Sequence, residues 1–225
     1  MSAAGQNTAV VSLGISCQSA RQIRTHVELI SSLIGEPVQH VSHFFDGLIT
    51  PPEGLAKLLD DGFPLFTREQ IEEGPGHPTW HPYGIRFFHH FRGEDGIADV
   101  DRYFENETSR FSYLKKRFLE LRNAQHLLFV LSNSQNNLDE VAEETELGPF
   151  HFEQRHLEEL KASLRAFFAK DYDLLVVSHE EKVVDVEYDH LHILEPDSSE
   201  WTGDKRQWAE VFRKHLTIHE TLNFV

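Results

Sequence analysis

The chain has 225 residues, 40% of them hydrophobic and 26% charged, and 37 acidic against 21 basic side chains leave a net charge of −16. That balance is the opposite of what phosphate contacts demand, so neither nucleic acid nor an anionic membrane is expected as a partner. Cys17 is the one cysteine, which excludes an internal disulfide and any multi-thiolate zinc or iron–sulfur centre.

The length suits a single domain over residues 1–225, large enough to bury a core without disulfides or metal. No apolar run approaches the roughly 20 residues that cross a bilayer. MSAAGQNTAV has neither the basic region nor the apolar stretch of a signal peptide, so a cytoplasmic location is expected.

In chain order, TAVVSL (Thr8–Leu13) predicts a buried strand that ends at Gly14, and QSARQIRTH then starts a helix. A second helix is expected over Val27–Ile34, closed by Gly35 and Pro37. A short amphipathic helix follows over Pro52–Asp60, burying Leu55, Leu58 and Leu59. Residues 72–84 (EEGPGHPTWHPYG) read as a loop, and GIRFFHHF (84–91) as a second buried strand. The longest helix is expected over Ala98–Arg122, capped by Asp99, with Val100, Phe104, Phe111, Leu114, Phe118 and Leu121 as its apolar stripe.

HLLFVLS (126–132) is a third strand, followed by the polar stretch NSQNNLDEVAEETELG and a helix over Glu153–Lys170. DLLVVS (173–178) is a fourth strand, VVDVEY and LHIL read as a hairpin-like pair, and a last helix spans Asp204–His215. Strands alternating with helices, and strands that are apolar on both faces, predict an α/β fold. Its central sheet should be predominantly parallel, with helices on both faces.

The strongest chemical signal is SLGISCQSA (12–20). A strand ends, a glycine turns the backbone, and a thiol lands where a helix begins. Unpaired amides and the positive helix end favour an anion there, so the Cys17 thiol is expected to ionise readily. The Cys17 and Gln18 amides, or the Gln18 side chain, then offer an oxyanion site. Ser16 is the competing nucleophile. The bland alternative is that Cys17 packs as a small apolar residue.

A cysteine nucleophile needs a base and a group that fixes the imidazole. His89 and His90 end the expected GIRFFHHF strand, where successive residues point to opposite faces. Asp46, embedded among aromatics in HFFDGL, and Asn133, just past the third strand, both offer to orient the ring. Spacing does not separate them. The His pairs 77/81, 190/192 and 215/219 lack HExxH or a carboxylate at motif spacing, so neither metal nor cofactor is expected. No Gly-rich phosphate loop is present.

SLGISCQSARQIR resembles the SLGxxCxxAxxLR signature of a papain-like cysteine peptidase family, a bacterial domain of largely unknown function. HFFDGLITPPEGLAKLLDDGFPLF is similar to that family's Phe-Asp-Trp motif and following helix, and YGIRFFHHF to a segment ending in His-Asp-Phe. RFSYLKKRFLELRNAQHLLFV and WTGDKRQW continue the resemblance along almost the whole chain. It implies a cysteine hydrolase whose cysteine, aspartate and histidine fall on Cys17, Asp46 and His89. Two positions depart from the pattern: Gly47 stands where tryptophan is usual, and His90 where aspartate is usual.

The expected function is cysteine-dependent hydrolysis or acyl transfer at a peptide, amide or thioester bond. The expected partner is a peptide or acyl-type substrate, with a protein partner left open. The alternatives are a non-catalytic interaction module on the same scaffold and a serine esterase using Ser16 or Ser12.

Overall fold

The computed structural model describes residues 8–73, 77–138, 140, 150–196 and 200–222. The chain begins with β1 (Thr8–Ser12), α1 (Cys17–Thr25), α2 (Val27–Ile34) and α3 (Pro52–Asp60). Three two-residue strands follow, β2 (Ile71–Glu72), β3 (Thr79–Trp80) and β4 (Ile85–Arg86), and then the long α4 (Val100–Glu120). Next come β5 (His126–Ser132), β6 (Phe152–Glu153), α5 (Gln154–Phe168) and β7 (Asp173–Ser178). The chain then forms β8 (Val183–Val184), β9 (Leu191–Ile193) and α6 (Lys205–Leu222).

The central sheet has the order β1-β5-β7-β9, and every pair in it is parallel. Its strands are apolar because both faces are covered. Val10, Leu128, Val130, Leu175 and Val177 pack with Ile23 and Ile30 of α1 and α2 and with Trp208 and Phe212 of α6. Alternate residues, among them Val11, Phe129, Leu131 and Val176, join the other core beneath α3, α4 and α5. The fold is therefore α/β with helices on both faces of a parallel sheet, as the alternating pattern predicts.

The second core is dominated by aromatic rings. Phe111 of α4 meets Phe44, Phe66 and Phe87 edge-on at centroid distances of 5.0, 5.5 and 5.3 Å. Asp99 caps α4 by accepting from the Arg102 amide, as its position implies.

Two elements differ from expectation. GIRFFHHF is not a strand of the central sheet: only Ile85–Arg86 is extended, paired to β3 in a small antiparallel sheet of order β2-β3-β4. The chain bends at residues 88–91, where Phe91 takes a left-handed φ of 58°. Its apolar run serves the aromatic core, where Phe87 and Phe91 are buried, and not a ladder. VVDVEY and LHIL are likewise no hairpin. β8 pairs parallel with β6, while β9 joins the central sheet beside β7. Residues 139 and 141–148 of the polar stretch, and the side chain of His219, lie outside the described residues.

Candidate active site

The carboxyl ends of β1, β5 and β7 each finish on a buried serine, Ser12, Ser132 and Ser178. Polar side chains gather here because this edge of a parallel sheet leaves backbone groups without strand partners. The turn from β1 into α1 is tight. Gly14 has φ 86° and Ile15 φ 48°. A Cβ at position 14 would meet the Thr50 side chain at 3.1 Å, so this position needs glycine for both space and conformation. Ile15 is β-branched and fully buried, and its left-handed backbone costs about 1–3 kcal/mol. This turn sets Ser16 as N-cap, its hydroxyl accepting from the Gln18 amide at 3.4 Å, and makes Cys17 the first residue of the helix.

Two further segments are sewn to this turn. The Thr50 amide donates to the Ile15 carbonyl at 3.4 Å. One residue earlier, Ile49 exchanges backbone hydrogen bonds with Arg86 of β4 at 3.0 and 2.9 Å. The segment carrying Asp46 and Gly47 is thus held between the Cys17 turn and the strand that leads to His89 and His90. Cys17, Ser16, Gly47, Leu48, Ile49, Phe88, Gln135 and Leu138 line a narrow cleft of about 20 Å³, open to solvent.

Cys17 is half-buried, and its thiol donates to Gln135 Oε1 at 3.9 Å. Burial raises its pKa above the ordinary thiol value, outweighing the opposing hydrogen bond from its own backbone. Loss of water therefore works against the ready ionisation expected of a thiol at a helix start. Among the described residues no imidazole is hydrogen-bonded to the sulfur.

The two histidines part company. His89 is exposed and stacks edge-on against Phe88, with ring centroids 4.7 Å apart. Burial, His90 and Arg92 lower its pKa. His90 is buried, 4% exposed, against Phe87 and Phe111. Its Nδ1 lies 3.0 Å from Glu107 Oε2, and the Arg110 guanidinium is 3.5 Å away. Burial works against ionising Glu107, but the hydrogen bond and charge of His90, together with Arg110 and the Phe91 amide, hold its pKa below the ordinary carboxylate value. An ionised carboxylate only accepts, so Nδ1 donates to Glu107, which at 3.0 Å prevails over the Arg110 guanidinium aimed at the same nitrogen from 3.5 Å. The ring's Nε2 lies 3.1 Å from where a Cβ on Gly47 would be.

The other expected site residues are held elsewhere. Asp46 accepts from the His43 amide at 2.9 Å, closing its own turn, and orients neither His89 nor His90 by a hydrogen bond. Burial raises its pKa to about 7, against the His43 amide, Arg24 and Arg117. Asn133 ties strand ends together. It donates to the Phe150 and Lys182 carbonyls and accepts from Ser178.

The Gln18 side chain is fully buried, accepting from Ser134 and Ser132 and donating to the Ser134 and Trp201 carbonyls. Those four bonds leave it no donor for an oxyanion, which corrects that expectation. Ser12 bonds Ser19 and the Gly14 amide, and Ser16 serves as the cap.

Two residues of the site were not anticipated. Glu107 sits on the apolar stripe of α4, one charged position between Phe104 and Phe111, and that interruption is its visible signal. Gln135 lies in NSQNN, where five polar residues in a row conceal which one faces the thiol. Among the described residues, no group of three or more His, Cys, Asp or Glu is placed to hold a metal ion. No family model matches the chain, and no curated protein and no solved structure does either.

Proposed function

We propose that the protein is a cysteine-dependent hydrolase or acyltransferase with Cys17 as nucleophile, a distant relative of the papain-like cysteine peptidases that SLGISCQSARQIR resembles. The observation that carries this reading is a thiol at the first position of a helix, on the wall of a solvent-continuous cleft, behind a backbone turn strained at Ile15. Strain of that kind persists where function needs it.

The sulfur attacks a carbonyl carbon, and an S–C bond forms as the bond to the leaving group breaks. The thiol proton passes to an imidazole base and then to the leaving group. Water hydrolyses the thioester and returns the proton to the sulfur. Burial favours the neutral thiol, so the imidazole takes the proton as the sulfur attacks. Leu48, Ile49, Phe88 and Leu138 make the wall beside Cys17 apolar, which favours an apolar acyl group lying against it.

A non-catalytic binding module is the second reading. It is favoured by the thiol's hydrogen bond to Gln135 where a cysteine hydrolase would have an imidazole. Hydrolysis of p-nitrophenyl acetate separates the two. Cys17→Ala abolishes turnover under the first reading, and undiminished turnover would overturn it.

A further inference from the structure

Resting on that reading, we propose that His90 is the base for Cys17, positioned by Glu107, and that Gly47 is the notch through which the imidazole serves the cleft. Four observations carry this. The His90–Glu107 pair is buried and hydrogen-bonded at 3.0 Å, so the ring has one orientation. The Glu107 carboxylate accepts from Nδ1–H, so in the neutral ring Nε2 is the basic atom. Nε2 faces the empty side-chain position of Gly47, and Gly47 stands in the same cleft wall as Cys17. Hydrogen bonds from Thr50 to Ile15 and between Ile49 and Arg86 fix the three segments against each other.

His89, by contrast, is exposed, and among the described residues no carboxylate is hydrogen-bonded to its ring. Any side chain at 47 would press on Nε2 and close the notch. The two positions at which the chain departs from the family pattern are therefore one structural feature. In the reaction, the Cys17 S–H bond breaks as the S–C bond forms. The proton moves to Nε2, and the ionised Glu107 with its Nδ1–H contact stabilises the imidazolium. That imidazolium then protonates the leaving group. The charged groups facing His90 are Glu107 and Arg110 from α4, with His89 beside it in the chain.

The test measures the rate constant for acylation by p-nitrophenyl acetate, as a function of pH, in the full-length chain and in His89→Gln, His90→Gln and Glu107→Gln. Thermal melting checks that each variant is folded. His90→Gln should slow acylation about a hundredfold and remove the acidic limb of the pH profile. Glu107→Gln should slow it about tenfold while keeping a displaced limb, and His89→Gln should leave it unchanged.

Gly47→Ala keeps every reacting group and guards against a misfolded His90 variant. It should slow acylation in the parent and have no effect in the His90→Gln background, whereas a merely structural role would slow both. Loss confined to His89→Gln overturns the role of His90 and leaves Cys17 as nucleophile, as do equal rates in all proteins that still acylate. Absence of acylation in the parent chain overturns the Cys17 reading itself, and this proposal with it.

Discussion

The Nε2 of His90 lies 3.1 Å from the point a Cβ on residue 47 would occupy, so glycine at 47 and histidine at 90 share one volume. His90 is pinned on its other sides by Phe87, Phe111 and Glu107. Gly47→Ala should therefore cost about 1–3 kcal/mol through overpacking. The cost should largely vanish in a His90→Ala background, where the ring is gone. Urea unfolding of the four proteins in that cycle measures the coupling, and additive effects would show that the two residues do not touch.

Buried titratable groups predict the pH dependence of stability. His43 is held neutral, its pKa lowered to about 3 by burial, Arg117 and His40. Burial, with Lys214 and His190, lowers His192 to about 4, and burial, with Arg92 and Arg86, lowers His77 to about 4. Between the ordinary value of 6.5 and those values, the unfolded chain binds these protons and the native chain does not. Stability therefore falls as pH falls through that window.

Asp46 has the opposite sign. Its native carboxyl holds a proton up to about pH 7 while the unfolded one loses it near 3.8, so its contribution falls as pH rises between them. Three histidines outweigh one aspartate, and melting temperature should drop from pH 6.5 to pH 4. Asp46→Asn keeps an acceptor for the His43 amide. It should steepen that drop and stabilise the fold at pH 8 by up to about 4 kcal/mol, at about 1.4 kcal/mol for each tenfold change in acidity.

Gln18 joins the Cys17 helix to Ser134 beyond β5 and to the Trp201 carbonyl before α6. Gln18→Ala should cost about 2–3 kcal/mol by leaving buried partners unsatisfied, measured by urea unfolding. A loss below about half a kcal/mol would mean that water replaces the side chain.

Phe111 connects the aromatic core to the site, since its ring packs 4.9 Å from that of His90. Phe111→Ala should cost about 3–5 kcal/mol and loosen the imidazole. Phe111→Leu, which fills most of the volume, should cost less than half as much and preserve acylation. Equal losses in the two variants would separate the core from the site.

The sheet was legible because β1, β5 and β7 are apolar on both faces and end in polar or turn residues. Val27–Ile34 and Pro52–Asp60 were legible from their flanking Gly35 and Pro51–Pro52. GIRFFHHF misled because an irregular segment lining an aromatic core is as apolar as a strand. The Cys17 turn was readable from Gly14, but the cleft beside it is walled by Gly47, Leu48, Ile49 and Leu138, distant in sequence. The resemblance implied an orienting aspartate at Asp46, and spacing left Asn133 beside it. The carboxylate that holds a histidine is instead Glu107, 17 residues from His90, brought there by the pitch of α4 against the loop.

In the proposed reaction the Cys17 sulfur forms a covalent bond to a carbonyl carbon. The most direct measurement is mass spectrometry of the intact chain, quenched in acid during p-nitrophenyl acetate turnover and then digested to locate the adduct. The account predicts one acetyl group per chain, on Cys17, lost on further incubation in water. Acetyl groups scattered over lysines, with Cys17 unmodified, would contradict it.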